Sequence, residues 1–253
     1  MIKIAIIGAT GYSGQELLRL LQKHPEAEIK FLASRSYVGE RIDHIYKNFI
    51  SANFGDEAIC VEQDIEKFSK ECDLIFIALP SGFASKKVTK EILDNAKVID
   101  LGADFRFQDV NIYKEWYKLE HFGERVLSEA VYGLPELYRE EIKNARLIAN
   151  PGCYSTCAIL SLLPFVNAGV IDPSTIVIDA ASGASGAGRG LSTSNLFCEV
   201  NENYRAYKIA SHRHTAEIEQ ILKLDVPLVF TPHLLPVNRG ILATIYADLK
   251  MDA

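Results

Sequence analysis

The sequence predicts an α/β protein in two parts, a doubly wound parallel sheet followed by an α+β region with a mostly antiparallel or mixed sheet. Three observations carry this. Short β-branched runs alternate with helical stretches through the first half. The first of those runs passes directly into a glycine-rich turn and a helix. After Pro151 the alternation gives way to one helix and then to strands separated by longer loops.

Taken in order, residues 2–8 form a buried-strand run and residues 12–23, with leucines at 17, 18, 20 and 21, suit a helix. Residues 29–33, 74–79 and 97–101 read as further strands, with a helix over 85–94 between the last two. Beyond Asn150 a helix is expected over 156–166 and strands over 176–180, 228–233 and 240–249. In the last of these, apolar positions 242, 244, 246 and 249 imply a sheet with one face solvated or covered by helices. A boundary near Asn150 divides the chain into two domains, 1–149 and 150–253.

The composition of the 253 residues, 48% hydrophobic and 24% charged with 16 Gly and 9 Pro, excludes disorder, collagen and coiled coil. With 27 basic against 33 acidic residues and no block of one sign, a nucleic-acid partner is not expected. No apolar stretch approaches the ~18 residues of a membrane span. Five scattered cysteines and a chain that opens on a strand-like run point to a reducing cytoplasm rather than a disulfide framework.

The turn Gly8-Ala9-Thr10-Gly11-Tyr12-Ser13-Gly14 has the spacing of a dinucleotide fingerprint variant. A tight turn, close approach to a pyrophosphate and helix-on-strand packing each favour a residue without Cβ, and the helix N-terminus offers N–H groups to phosphate. Gly8, Thr10, Gly11, Tyr12, Ser13 and Gly14 are therefore cofactor-binding candidates in a Rossmann-type domain. An NAD site expects a carboxylate about 20 residues further on. Here the second strand ends Ala33-Ser34-Arg35-Ser36 instead, so Ser34 and Arg35 point to the 2′-phosphate of NADP(H).

Asn150-Pro151-Gly152-Cys153-Tyr154-Ser155-Thr156 precedes an apolar helix, and a thiol in a helix's first turn is favoured as thiolate. Cys153 is the candidate nucleophile; Cys60, Cys72 and Cys157 read as core filler. His212 and His214, in Ser211-His212-Arg213-His214-Thr215, are the candidate proton-transfer partners. Zinc is not expected, because His-x-His is shorter than the usual ligand spacing. The run Ser182-Gly183-Ala184-Ser185-Gly186-Ala187-Gly188-Arg189 allows a ligand close to the backbone, and Arg189 suits a carboxylate or phosphate. Tyr204 and Lys208 match the Tyr-x-x-x-Lys spacing of short-chain dehydrogenases, but with 11 tyrosines such a pair arises by chance.

These motifs occur in one order with Ala78-Leu79-Pro80-Ser81-Gly82, Asp100-Leu101-Gly102-Ala103-Asp104-Phe105-Arg106 and Tyr132-Gly133-Leu134-Pro135-Glu136. Together, across essentially the whole chain, they resemble the N-acetyl-γ-glutamyl-phosphate reductase family. The resemblance implies NADPH-dependent reduction of an acyl phosphate to N-acetylglutamate 5-semialdehyde in arginine biosynthesis, and a fold shared with aspartate-semialdehyde and glyceraldehyde-3-phosphate dehydrogenases. It implies Cys153 as nucleophile and His214 as acid/base, with His212 in reserve. Leu79, Pro80, Ser185 and Gly186 become cofactor contacts, and Arg106, Arg189, His212 and Arg213 substrate contacts, in a homo-oligomer.

Two departures stand out. Ser155 replaces a usual Pro, which a helix's first turn should tolerate. The chain also stops at Ala253, some tens of residues early, which predicts an uncovered sheet edge, self-association and weak turnover. An aspartate-semialdehyde dehydrogenase and a non-catalytic NADP-binding sensor are the alternatives.

Overall fold

The computed structural model describes residues 1–50 and 58–250. Eleven strands and eleven α-helices occur among them. In chain order they are β1 (Ile2–Ile7), α1 (Tyr12–Leu21), β2 (Ala27–Ala33), α2 (Ile42–Ile45), β3 (Cys60–Val61), α3 (Ile65–Glu71), β4 (Leu74–Ile77), α4 (Ala84–Lys87), α5 (Lys90–Asn95), β5 (Lys97–Asp100), α6 (Val110–Tyr117), α7 (Glu124–Leu127), β6 (Ala130–Tyr132), α8 (Pro135–Asn144) and β7 (Leu147–Ala149). There follow α9 (Cys153–Ala168), β8 (Val177–Gly183), α10 (Phe197–Val200), β9 (Arg205–Ala206), α11 (His214–Leu222), β10 (Val229–Leu235) and β11 (Ile241–Tyr246).

The chain forms two compact units. The first comprises Met1–Val110 with Leu119–Pro151, and the second Asn111–Lys118 with Gly152–Ala253. Most of α6 thus belongs to the second unit.

The first unit holds a seven-stranded sheet in the order β3-β2-β1-β4-β5-β7-β6, every neighbouring pair parallel. Strands buried on both faces need apolar residues at every position. β1 supplies them: Ile4, Ala5, Ile6 and Ile7 are all buried. Because successive side chains point to opposite faces, Ala5 and Ile7 pack with Ile75, Ile77, Phe68 and Leu93, whereas Ile4 and Ile6 pack with Leu18, Leu32, Ile42 and Phe49. The strand order reverses at β1, with β2 on one side and β4 on the other, which is where such sheets bind ligands at their carboxyl ends.

The second unit has a mixed sheet, β11-β8-β10-β9, with β8 and β10 parallel and the outer pairs antiparallel. One local expectation is corrected and another is made specific. The helix over 85–94 is two, α4 and α5, because the Thr89 hydroxyl accepts the Ile92 N–H and starts a new helix there. In β11 the apolar positions 242 and 246 face outward, with Leu242 and Tyr246 largely exposed, while Ile241, Ala243 and Ile245 alternate to the more covered face. Among the described residues no helix is long and apolar enough to cross a membrane.

Candidate active site

In the first unit the turn after β1 is tied to β2. The N–H groups of Gly8 and Ala9 both donate to the Ala33 carbonyl, at 2.9 and 3.1 Å. Gly8 has φ +88°, and a Cβ there would strike the carbonyl of Ala78 just past β4. A Cβ on Gly14 would strike the Gly8 carbonyl and lie 2.7 Å from the Ala9 Cα. The three nearest atoms are all backbone, so α1 can sit this close to the turn only without a side chain. The first N–H groups of α1 have no acceptor within the helix, and its N-cap Gly11 supplies no side chain to them. That cradle suits a pyrophosphate.

The buried hydroxyls of Thr10 and Ser34 are hydrogen-bonded at 2.8 Å, fixing the turn to the end of β2 and leaving Arg35 exposed beside it. Leu79 and Pro80 follow β4. The loop after them is held by buried Asp104, whose carboxylate accepts the N–H groups of Gly82 (2.6 Å) and Ser85 (2.8 Å). The expected cofactor residues of this unit, Gly8 to Gly14 with Ser34, Arg35, Leu79 and Pro80, therefore gather around the carboxyl ends of β1, β2 and β4. At the end of β5, burial and then the charge of Asp104 push the Asp100 carboxyl up to about 7. Arg106 is buried, with its guanidinium donating to the carbonyls of Asn150 (2.8 Å) and Leu101 (3.1 Å). Its contacts brace the ends of β5 and β7.

In the second unit Cys153 is the first residue of α9 and is exposed. Helix α9 starts three residues earlier than the periodicity predicts. The first helical bond runs from Thr156 N–H to the Gly152 carbonyl at 2.8 Å, so the N–H groups of Cys153, Tyr154 and Ser155 precede it. Ser155 is accommodated in this turn, fully buried.

Gly152 packs against the His214 ring, which a Cβ there would overlap. The Gly152 N–H donates to Glu217 Oε1 at 2.8 Å, and Glu217 has no exposed surface. His214 and Glu217 lie three residues apart on α11, so they share one face of that helix.

His212 has a different setting. Its ring is buried among Tyr154, Tyr207 and Phe230, with centroid distances of 5.6, 5.8 and 5.2 Å. Its Nδ1 accepts the His214 N–H at 3.2 Å. Burial above all, then the neighbouring His214, Lys208 and Arg213, push its pKa down to about 3. The ring stays neutral and helps hold the start of α11. The Tyr207 hydroxyl donates to that of Tyr154 (3.4 Å), which donates to the His233 carbonyl (3.2 Å). Burial raises both phenols.

Three of the other four thiols are less accessible than Cys153, while Cys198 is exposed on α10. Burial lifts Cys60 and Cys72 to about 11 and raises Cys157. Ser185 and Gly186 lie on a 3-10 turn after β8, where Ser185 N–H donates to the Asn238 carbonyl at 3.0 Å, and Arg189 is exposed just beyond it. Sequence reasoning missed Glu217, Asp104 and Tyr207. Only Glu217 left a signal, its helical spacing from His214.

Comparison with known proteins bears on these arrangements. The family model described as semialdehyde dehydrogenase, NAD binding domain, matches residues 3–145, and that described as semialdehyde dehydrogenase, dimerisation domain, matches residues 153–253. An N-acetyl-gamma-glutamyl-phosphate reductase of Lachnospira eligens is 52% identical over 100% of this chain and 73% of its own length. The chain belongs to the N-acetyl-gamma-glutamyl-phosphate reductase family. Reductases of that name from Moorella thermoacetica and Campylobacter jejuni are 50% and 49% identical, over 100% and 99% of this chain and 73% and 72% of theirs.

Two solved structures share the fold. Aspartate semialdehyde dehydrogenase II of Vibrio cholerae superposes with a TM-score of 0.70 at 17% identity, covering 100% of this chain and 76% of that one. The Candida albicans enzyme, solved with NADP, gives 0.64 at 18%, covering 100% and 73%. As a member of this reductase family the chain is an oxidoreductase, and its first unit is a nicotinamide-dinucleotide-binding domain.

Proposed function

We propose that this chain reduces N-acetyl-glutamyl 5-phosphate to N-acetylglutamate 5-semialdehyde and phosphate with NADPH, through a thioester on Cys153. Residues 1–149 bind the cofactor and residues 150–253 carry the covalent chemistry. The observation that carries the reading is an exposed cysteine at the head of α9 whose preceding glycine packs against the His214 ring, in a chain half identical to reductases of this name.

The Cys153 thiolate, favoured at a helix N-terminus, attacks the acyl carbon. The carbon–oxygen bond to phosphate breaks and phosphate leaves with the electron pair. The oxyanion formed at that carbon is stabilised by the first N–H groups of α9. The reduced nicotinamide, when bound, supplies hydride to the acyl carbon. His214 gives a proton to the oxyanion left by hydride transfer and takes it back as the carbon–sulfur bond breaks, which releases the aldehyde and restores the thiolate. Neutral His212 and buried Glu217 are positioning residues. The first holds the start of α11, and the second fixes Gly152 beside Cys153.

The choice of NADP over NAD rests on Arg35, which is exposed at the end of β2 with no carboxylate following it there. Arg35→Asp is expected to weaken NADP binding about 10- to 100-fold, since charge-assisted hydrogen bonds contribute roughly 1.5–3 kcal/mol. NAD binding should change by no more than about threefold. Fluorescence titration with both dinucleotides checks this, and equal losses would assign the loop to folding instead.

The outer face of the second sheet, with Val229, Leu242 and Tyr246 exposed, is where we place association with a second copy. The compartment we assign is the cytoplasm. The assay that tests the function offers N-acetylglutamate semialdehyde and aspartate semialdehyde separately, each with NADP and phosphate. Turnover of the first alone is expected. Preference for aspartate semialdehyde, or none for either, would overturn the assignment.

A further inference from the structure

We propose that Asp104 is a positioning residue for the nicotinamide half of the dinucleotide, acting through the loop between β4 and α4. The inference deepens the cofactor reading above and rests on it, and it is independent of the acyl substrate.

The strand order divides the cofactor between two loops. In a doubly wound sheet the ribose of the adenosine half lies at the end of the second strand, and the pyrophosphate lies at the turn after the first. Here those places are the end of β2 and the Gly8 turn, and β2 and β4 flank β1 on opposite sides. The other half of the dinucleotide therefore extends over the end of β4. The loop leaving β4 starts against the pyrophosphate turn. The space a Gly8 Cβ would need is taken by the Ala78 carbonyl, with Leu79 Cδ2 at 3.0 Å.

This loop has little regular structure of its own to hold it. Gly82 takes a left-handed backbone angle, φ +90°, and α4 beyond it has four residues. Two of its N–H groups are turned inward onto the buried Asp104 carboxylate, one on each oxygen. Gly82 donates to Oδ1 at 2.6 Å and Ser85 to Oδ2 at 2.8 Å. One side chain thus ties the loop at two points and sets the path of the chain between them.

Asp104 can act this way because it is itself held. The buried His121 donates from Nε2 to the Asp104 carbonyl at 2.6 Å, and its ring meets that of buried Phe105 edge-on at 5.6 Å. Gly123 closes the same arrangement. A Cβ there would lie 2.9 Å from the Phe105 ring and 3.2 Å from the Ser85 carbonyl oxygen, so this segment packs on the neighbour of Asp104 and on the far end of the loop. A second carboxyl shares the surroundings, since the Asp104 charge contributes to the upward shift of Asp100. Burying a carboxylate beside another is costly. A neutral side chain would fill the space without that cost, but an amide offers one acceptor oxygen where the loop brings two N–H groups.

The experiment separates the two halves of the cofactor. Asp104→Asn keeps the shape of the side chain but sets an NH2 group against either the Gly82 or the Ser85 N–H. The variant and the unaltered protein are titrated calorimetrically with NADP and with adenosine 2′,5′-bisphosphate, which carries the adenosine half alone. NADP binding is expected to weaken about 5- to 50-fold, with the bisphosphate within about twofold. In a protein that prefers NAD, NAD and AMP are the matching pair, so failure of the NADP assignment leaves the test intact. A second measurement needs no variant and decides the matter where Asp104→Asn does not fold. Amide exchange at Gly82 and Ser85 in the unaltered protein should slow more under saturating NADP than under saturating bisphosphate, because a ligand protects the bonds its binding requires. Equal losses of the dinucleotide and its adenosine half make Asp104 a merely structural residue and overturn the proposal. Unchanged dinucleotide affinity in the variant, or equal protection by the two ligands, overturns it as well. Neither measurement involves turnover, so the result stands whether or not the proposed reaction does.

Discussion

Cys153→Ser is expected to lower turnover by at least about 10³-fold while leaving dinucleotide binding and melting temperature essentially unchanged. The nucleophile must be anionic to attack. A hydroxyl at the same helix N-terminus titrates far above the range in which a thiol does, so the few N–H dipoles that favour a thiolate leave serine neutral. Cys153 is exposed, so exchanging sulfur for oxygen opens no cavity in the core. The decisive measurement is a single-turnover assay with the acyl phosphate, in which the variant should release no burst of phosphate. A phosphate burst of wild-type size from a preparation free of wild-type enzyme would rule out the thioester.

Gly152→Ala should cost about 10²-fold in kcat, a large effect for one methyl group. The backbone there, φ −67° and ψ 151°, suits alanine as well as glycine. The added Cβ meets the His214 ring, with Cε1 at 2.7 Å and Cδ2 at 2.8 Å. A side chain gives way more readily than backbone, so the ring moves and the proton carrier leaves its place beside Cys153. Stability should fall by only about 1 kcal/mol, the ordinary penalty for alanine at a helix N-cap. Thermal melts together with kcat over pH 6–9 check both halves. A variant that folds normally and keeps wild-type kcat would remove His214 from the chemistry.

Much of this protein is written locally in its chain. The strand Ile2–Ile7 is apolar at almost every position because it is central in a parallel sheet, and Gly8 and Gly14 are glycine because backbone fills the space a Cβ would take. Cys153 could be singled out because a Pro-Gly pair and a following apolar run mark a helix start, and a helix N-terminus acts on whatever stands in its first turn. These features depend on neighbours a few residues away, and a sequence displays such neighbours directly.

Other features came only with the tertiary structure, because contacts between distant residues leave no period or spacing to read. Glu217 reaches Gly152 across 65 positions. His212 and His214 are equivalent in the sequence, and burial separates them: one ring is enclosed by Tyr154, Tyr207 and Phe230 and kept neutral, while the other lies on Gly152. Arg106 looks like a substrate ligand until its guanidinium is found on two carbonyls. In β11 alternation reveals that two faces differ but not which of them is covered. That depends on what packs against the sheet, and folding leaves Leu242 and Tyr246 on the open side.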